Sequence, residues 1–454
     1  RAGGAFTYGP VRDAMTLFYS FGQFIGVNPE AKRHFAFVVD FRDPTDLSRA
    51  LIASRRFKKA VRKGESEKGR FPQYYMTPRQ SRNIQASVRV TYADIMSGRR
   101  FEDMIAVCNA DVDLKGIADS DLSFCGYVTN WMQKFSVQIP YRALRPVEFD
   151  NVLVVGKAMS VDHDTLALAR MQRDLMAIGG AAGLAVAQSV ISNQSLSNVD
   201  IKALQKGLIR LGALSVKDLS TLPGVNDSAL PEIDSAQLKQ MAEQLAAGNL
   251  KLMDKVSLLM RPKLSVPLLK EAAGNATGSG RIEVGKALSF LGDRQGAAIL
   301  LSELKQSLQT PGLSTKTHVK MHHETPDHAS APEITYWVNS LGRSGDSRVI
   351  PLMTEIARRV EMNPNKSDAM FNYVYSICYA ADRLADPACI EVLSLLAKKS
   401  GIAGSLHTIG TDPRETGKGK ASIREDRYAY LELCIGRALA RCGSKQGYQT
   451  VIDY

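Results

Sequence analysis

Apolar positions change their rhythm about halfway along this chain. In the first part they come in short runs separated by polar turns. His34–Asp40 (HFAFVVD) reads as a buried strand that ends at Asp43-Pro44, and Asp46 is placed to cap the helix that follows. Ser87–Tyr92 alternates polar and apolar residues, the pattern of a half-buried strand. Asp94 begins a short helix that stops at Gly98, and Val107–Asp111 and Phe135–Ile139 are further strands. Asn151–Gly156 (NVLVVG) reads as a compact buried strand ending in glycine. A polar turn and a helix follow, and then the run Gly179-Gly180-Ala181-Ala182-Gly183 opens another helix to about Val190. Mixed strands followed by a strand–turn–helix unit predict an α/β or α+β fold for this half.

After Ile191 the pattern becomes helical. Asp200–Leu211 is a helix, Ser215–Pro231 is a linker rich in Ser, Leu, Pro and Asp, and from Ser235 no convincing strand remains. A degenerate unit recurs there: Lys286–Asp293 with Ala297–Leu304, Trp337–Asp346 with Val349–Ile356, Ser376–Pro387 with Cys389–Leu396, and Gly436–Gly443 with Tyr448–Ile452. Each is a helix, a tight Gly/Asp turn and a second apolar helix, at an irregular period of roughly 40–57 residues. The units resemble HEAT-like repeats, which bury their faces by stacking and would make this half an all-α solenoid. The expected organisation is residues 1–195 as the mixed lobe, 196–234 as helix and linker, and 235–454 as helical repeats.

Composition narrows this little. Apolar and charged contents of 44% and 23% are those of a soluble globular protein. The net charge of +12 favours anionic partners without choosing among them. The densest basic run, Arg55–Lys63, lacks interleaved aromatics and reads as a solvated helix face, so no nucleic-acid partner is expected. The six cysteines form no C-x-x-C pair and no zinc spacing, and they leave the compartment, cytoplasmic or periplasmic/secreted, undecided. The longest nearly apolar run, Leu175–Ala187, falls short of the roughly 20 residues a spanning helix needs, so no membrane span is expected. His318, His322, His323 and His328 cluster with Glu324 and Asp327 around Thr325-Pro326, which reads as an exposed loop rather than a metal site.

Four features carry candidate chemistry. The Gly179–Gly183 run suits either close helix packing or backbone approach to a ligand. If it opens a helix, it aims N–H groups and the positive dipole end at an anionic atom. Arg79 and Arg82, three apart before a strand, suit recognition of a carboxylate or phosphate, or an inter-lobe salt bridge. His163, between Asp162 and Asp164, suits proton transfer or a turn held by either carboxylate. Arg170 suits a phosphate or ring contact, or helix packing.

Four segments in order sharpen this picture: Pro78-Arg79-Gln80-Ser81-Arg82-Asn83-Ile84, Thr91–Asp103 (TYADIMSGRRFED), Ile139–Pro146 (IPYRALRP), and Asn151–Lys157 with Gly179–Gly183. Together they resemble the C-terminal part of the FAD-dependent oxidoreductases of the glutathione-reductase-like superfamily, in the bacterial branch associated with xanthan lyases. The resemblance covers about Gln73 to Leu211. It implies FAD as cofactor, hydride transfer from a small-molecule or carbohydrate-like substrate, and flavin contacts from Gly156, Lys157, Arg170, Gly179, Gly180, Ala181, Ala182 and Gly183. His163, Arg79 and Arg82 are the implied catalytic and anion-handling residues, with no metal.

Two departures from the family pattern matter. Lys157 stands where the family has Arg, and the dinucleotide fingerprint G-x-G-x-x-G is absent; Gly274–Gly280 has glycines but no preceding strand. The chain also begins at Arg1 rather than Met. The ADP-binding half is therefore expected outside this sequence, on a longer polypeptide or on a second chain of a redox complex, unless flavin binding has been lost. The rival reading is a scaffold whose helical repeats bind a protein partner.

Overall fold

The computed structural model describes residues 83–111, 120–128, 134–220, 232–315, 331–362, 369–404 and 423–453, together with four strand segments between residues 4 and 78. Those segments are Gly4–Thr7 (β1), Met15–Phe18 (β2), Phe24–Ile25 (β3) and Thr77–Pro78 (β4), paired antiparallel in the order β3-β2-β1-β4. The strand expected at residues 34–40, the helix begun at Asp46, the basic run, Arg79, Arg82 and the histidine cluster at 318–328 lie outside the described residues. The chain divides into two compact units: residues 81–114 with 118–287, and residues 1–80, 115–117 and 288–454.

The first of these units is organised on one hairpin-like sheet. Tyr92–Met96 (α1) begins under a capping box, in which Thr91 and Asp94 each bind the other's backbone N–H. The sequence pattern begins this helix at Asp94, but Asp94 is the third residue of its first turn; the chain turns back at Gly98, where φ is +76°. Met104–Asp111 (β5) follows, then Asp121–Phe124 (α2) and Lys134–Pro140 (β6). β5 and β6 pair antiparallel from Met104↔Pro140 to Asp111↔Lys134, with an irregularity between Met104 and Ala106. His163–Ala169 (α3), Gln172–Ser192 (α4) and Ile201–Arg210 (α5) pack on this pair. The core they share includes Ile105, Cys108, Ile139, Leu166, Ile178 and Leu204, all nearly inaccessible. α4 and α5 approach closely at Gly207, where a Cβ would stand 2.8 Å from the Leu184 side chain.

The described fold is mostly helical, with a small two-stranded sheet in this unit, and two of the expected strands do not form. Ser87–Tyr92 supplies one isolated bridge, at Val90, and a second lies just before it at Ala86. Asn151–Gly156 is not a strand, and Val152 and Val155 are exposed. Its apolar run has the composition of a buried strand, but no described strand pairs with it.

Val216–Ser220 (α6), Ser235–Ala246 (α7), Leu252–Leu259 (α8), Pro262–Ala273 (α9) and Gly278–Phe290 (α10) continue the chain. Residues up to 287 belong to the same compact unit as the sheet, so the boundary anticipated near residue 234 falls inside that unit.

In the other unit, Arg294–Ser307 (α11), Glu333–Ser344 (α12), Ile350–Arg359 (α13), Ala369–Leu384 (α14), Cys389–Ala397 (α15), Ile423–Arg441 (α16) and Lys445–Asp453 (α17) pack on one another. α12 packs on α14 and α14 on α16, while α13 packs on α15. The turns between the paired helices each hold a left-handed residue: Gly292, Gly345, Ala385 and Gly443. Glycine takes that conformation at little cost, which is why three of the four turns were legible as Gly/Asp turns.

Candidate functional site

Three separate segments are laced around the turn at Gly156-Lys157. The Asn83 side-chain amide donates to the Lys157 carbonyl at 3.1 Å and to the Met159 carbonyl at 2.8 Å. The Ile84 N–H donates to the Ala158 carbonyl at 2.9 Å. Beyond it, Val90 donates to Ser160 and Asp162 donates back to Val90, a parallel bridge between Val90 and Val161. From the other side, Ser160 donates to Ala143 and Val154 to Leu144. Gly156 sits at φ +73° in this turn, a backbone conformation that disfavours any side chain. Asn83 was not anticipated as a site residue. Its only signal in the sequence is its place in the segment Pro78–Ile84, because its partners lie more than seventy residues away.

α4 packs against this turn. The Gly179–Gly183 run does not open a helix, as the sequence suggested; it lies in the middle of α4, which starts at Gln172 after Met171. Mid-helix N–H groups are spent on the helix itself, so this run directs no dipole end or open donor at a ligand. Ala181 and Ala182 turn into the core, whereas Gly180 and Gly183 are exposed. A Cβ at Gly156, Gly179, Gly180 or Gly183 would meet nothing within 4 Å. These glycines leave a side of the helix flat and open, so the described residues fit a planar ring laid against the helix flank. They do not fit an anion at a helix start. Arg170 is the C-cap residue of α3 and is buried.

The carboxylates around His163 are both structural anchors. Asp162 joins the starts of two helices: one oxygen accepts the Tyr92 N–H of α1 at 2.8 Å, the other the Thr165 N–H of α3 at 2.7 Å. Burial pushes its carboxyl above the usual range and the nearby Asp164 adds to this, while the hydrogen bonds from Thr165 and Tyr92 oppose it. Asp164 is fully buried. Its Oδ2 accepts the Ser120 N–H at 3.0 Å and the Ser123 hydroxyl at 3.3 Å, and its Oδ1 lies 2.8 Å from His163 Nδ1. The His163 side chain is 25% exposed, so the imidazole stands at the edge of the packed interior. Tyr92 is buried nearby, and its phenol is made much less acidic by burial and then by Asp164 and Asp162.

A separate cavity of about 470 Å³ is lined by Asp103, Tyr141, Arg142, Arg145, Asp200 and Lys202, among others. None of the residues anticipated from the sequence as site residues lines it. The Tyr141 phenol donates to the Leu196 carbonyl at 2.8 Å, and burial, opposed by Arg145, leaves its pKa pushed up to about 12. Among the described residues no group of His, Cys, Asp and Glu is arranged to hold a metal.

By length and composition α4 is able to cross a membrane, although the shorter run read from the sequence is not. Its packing on β5, on α5 and on the turn at residues 156–158 buries Ile178, Ala181, Ala182 and Ala185.

Compared with known protein families, residues 41–208 match one described as FAD dependent oxidoreductase. No curated protein and no solved structure matches the chain. The match places a FAD-dependent oxidoreductase domain in this chain and supports FAD as its cofactor and a small molecule as its substrate. It ends at Leu208, inside α5, and so covers the laced turn, α3 and α4.

Proposed function

We propose that residues 79–190 form the substrate lobe and the flavin-contacting segment of an oxidoreductase that removes a hydride from a small-molecule or carbohydrate-like organic substrate. The observation that carries this is the open glycine flank of α4, a helix that packs on the triply laced Gly156 turn, within the residues matched by the family. When bound, the flavin supplies the hydride acceptor. Gly156 and the flank at Gly179, Gly180 and Gly183 would hold the ring without Cβ obstruction, with Lys157 and Arg170 as the cationic neighbours. His163 would take the proton that leaves the substrate heteroatom as the hydride leaves carbon. Arg79 and Arg82 would fix an anionic or strongly polar substrate group. The four ordered segments favour the xanthan-lyase-associated bacterial branch. The missing dinucleotide fingerprint means that a separate segment or a second polypeptide would hold the ADP moiety.

An absorbance spectrum of the purified full-length protein tests this reading. The expected result is the paired visible bands of bound flavin, bleached anaerobically by a reductant. A colourless protein that takes up no added FAD would overturn it.

The layered packing of α12, α14 and α16 beside α13 and α15 supports a second role for the C-terminal part, as a HEAT-like array that presents a surface to a protein partner. On that reading a truncation before Arg294 would keep the flavin and lose the partner in a pull-down.

A further inference from the structure

We infer that Asp164 is the positioning residue of a His163–Asp164 dyad: it holds the proton on His163 Nδ1 and keeps the lone pair on Nε2. This rests on the reading of His163 as the proton acceptor. The geometry is specific. An ionised carboxylate only accepts hydrogen bonds, so a ring nitrogen 2.8 Å from Asp164 Oδ1 must be the protonated one. In a neutral imidazole the other nitrogen then carries the lone pair. Asp164 is itself unable to swing away. It is fully buried, and its second oxygen is held by the Ser120 N–H and the Ser123 hydroxyl, both from the start of α2.

The neighbouring carboxylate does different work. Asp162 spends both oxygens on backbone N–H groups of α1 and α3. The two acids that flank His163 thus divide the labour: Asp162 fixes where the helix begins, and Asp164 fixes which way the ring faces. The second task is the one a proton acceptor needs, because a ring with its proton on Nε2 has no lone pair there to receive another. An orienting carboxylate of this kind acts through tautomer and direction.

The test is a long-range ¹H–¹⁵N correlation spectrum of the full chain labelled at histidine nitrogen, recorded above the pH at which the ring protonates. The protein has seven histidines, so the His163 signals are assigned as those missing from His163→Gln. The expected pattern for His163 is a protonated Nδ1 and an unprotonated Nε2, with the tautomer reversed or averaged in Asp164→Asn. A wild-type ring with its proton on Nε2 overturns the inference, and that spectrum decides even if the variant does not fold. An Asp164→Asn ring that keeps the wild-type tautomer also overturns it. The absorbance of the same samples separates this result from the flavin reading. A colourless protein with the expected tautomer sinks the oxidoreductase and leaves the dyad standing, whereas a flavin-bound protein with the opposite tautomer does the reverse.

Discussion

Asp103 holds Arg142 by three contacts: Oδ2 accepts both its Nε–H at 3.0 Å and its backbone N–H at 2.8 Å, while Oδ1 accepts from Nη2 at 3.0 Å. The Tyr141 N–H also donates to the Asp103 carbonyl, so the end of β6 is tied to the start of β5. A planar fork makes this pair, and a lysine ammonium is unable to reproduce it. Arg142→Lys is expected to lower stability by about 1–2 kcal/mol in urea denaturation, although it preserves the charge. An unchanged midpoint would mean that the backbone contact alone holds the corner.

Asp162 accepts from the first turns of two helices that are seventy residues apart in sequence. Each lost cap costs about 0.5–2 kcal/mol, and the two losses share one residue. Asp162→Ala is therefore expected to destabilise the protein by roughly 1–4 kcal/mol. Thr91→Ala, which removes one hydroxyl acceptor from α1, should cost less; denaturation curves of both variants check the order.

Glu283 lies 2.7 Å from Lys255 and 3.5 Å from Lys286, whose ammonium is also over the Tyr127 ring. Burial works to raise the Glu283 pKa, but the two ammonium groups outweigh it and hold the carboxyl below its ordinary range. A carboxyl depressed in the folded state contributes stability above its unfolded pKa and loses it as pH falls through the folded value. Stability of this unit should therefore fall on acidification below the usual carboxylate range. Glu283→Gln should remove that part of the acid dependence. It should also cost about 2–4 kcal/mol at neutral pH, because the buried Lys286 loses a carboxylate partner. Urea denaturation at a series of pH values measures both effects.

Two helical glycines should respond oppositely to the same change. A Cβ at Gly342 would run into Ala380 of the neighbouring helix, so Gly342→Ala should lose about 1–3 kcal/mol to overpacking. At Gly183 a Cβ meets nothing within 4 Å, so Gly183→Ala should raise stability by about 0.5–1 kcal/mol through helix propensity. Thermal melts of the two variants give the comparison.

The same open flank separates folding from cofactor binding. Gly183→Leu is expected to melt close to the wild type, because its side chain points into open space. It should nevertheless bind little or no flavin, read as loss of the visible bands. Full retention of the flavin would move the ring away from this face of α4.

Local chemistry was legible in the sequence wherever a residue acts on its own neighbours. The helix–turn–helix pairs could be located because Gly292, Gly345 and Gly443 mark left-handed turns, and α1 because Asp94 signals its first turn. The segments that build the site were also legible as segments. What the chain alone did not reveal is where α4 begins, since Met171 provides no side-chain cap to mark it. The mid-helix place of the glycine run followed from that start, and with it the loss of any dipole at the run. The apolar run Val152-Leu153-Val154-Val155 looks like a buried strand because composition reports only what a segment is able to do. Whether it becomes a strand depends on another strand to share its hydrogen bonds. Asn83, Asp162 and Asp164 acquire their roles in the same way. Each polar group is a common residue with many local uses, and only the tertiary fold brings it the distant donor or acceptor (for Asp164, Ser120 and Ser123) that selects one of them.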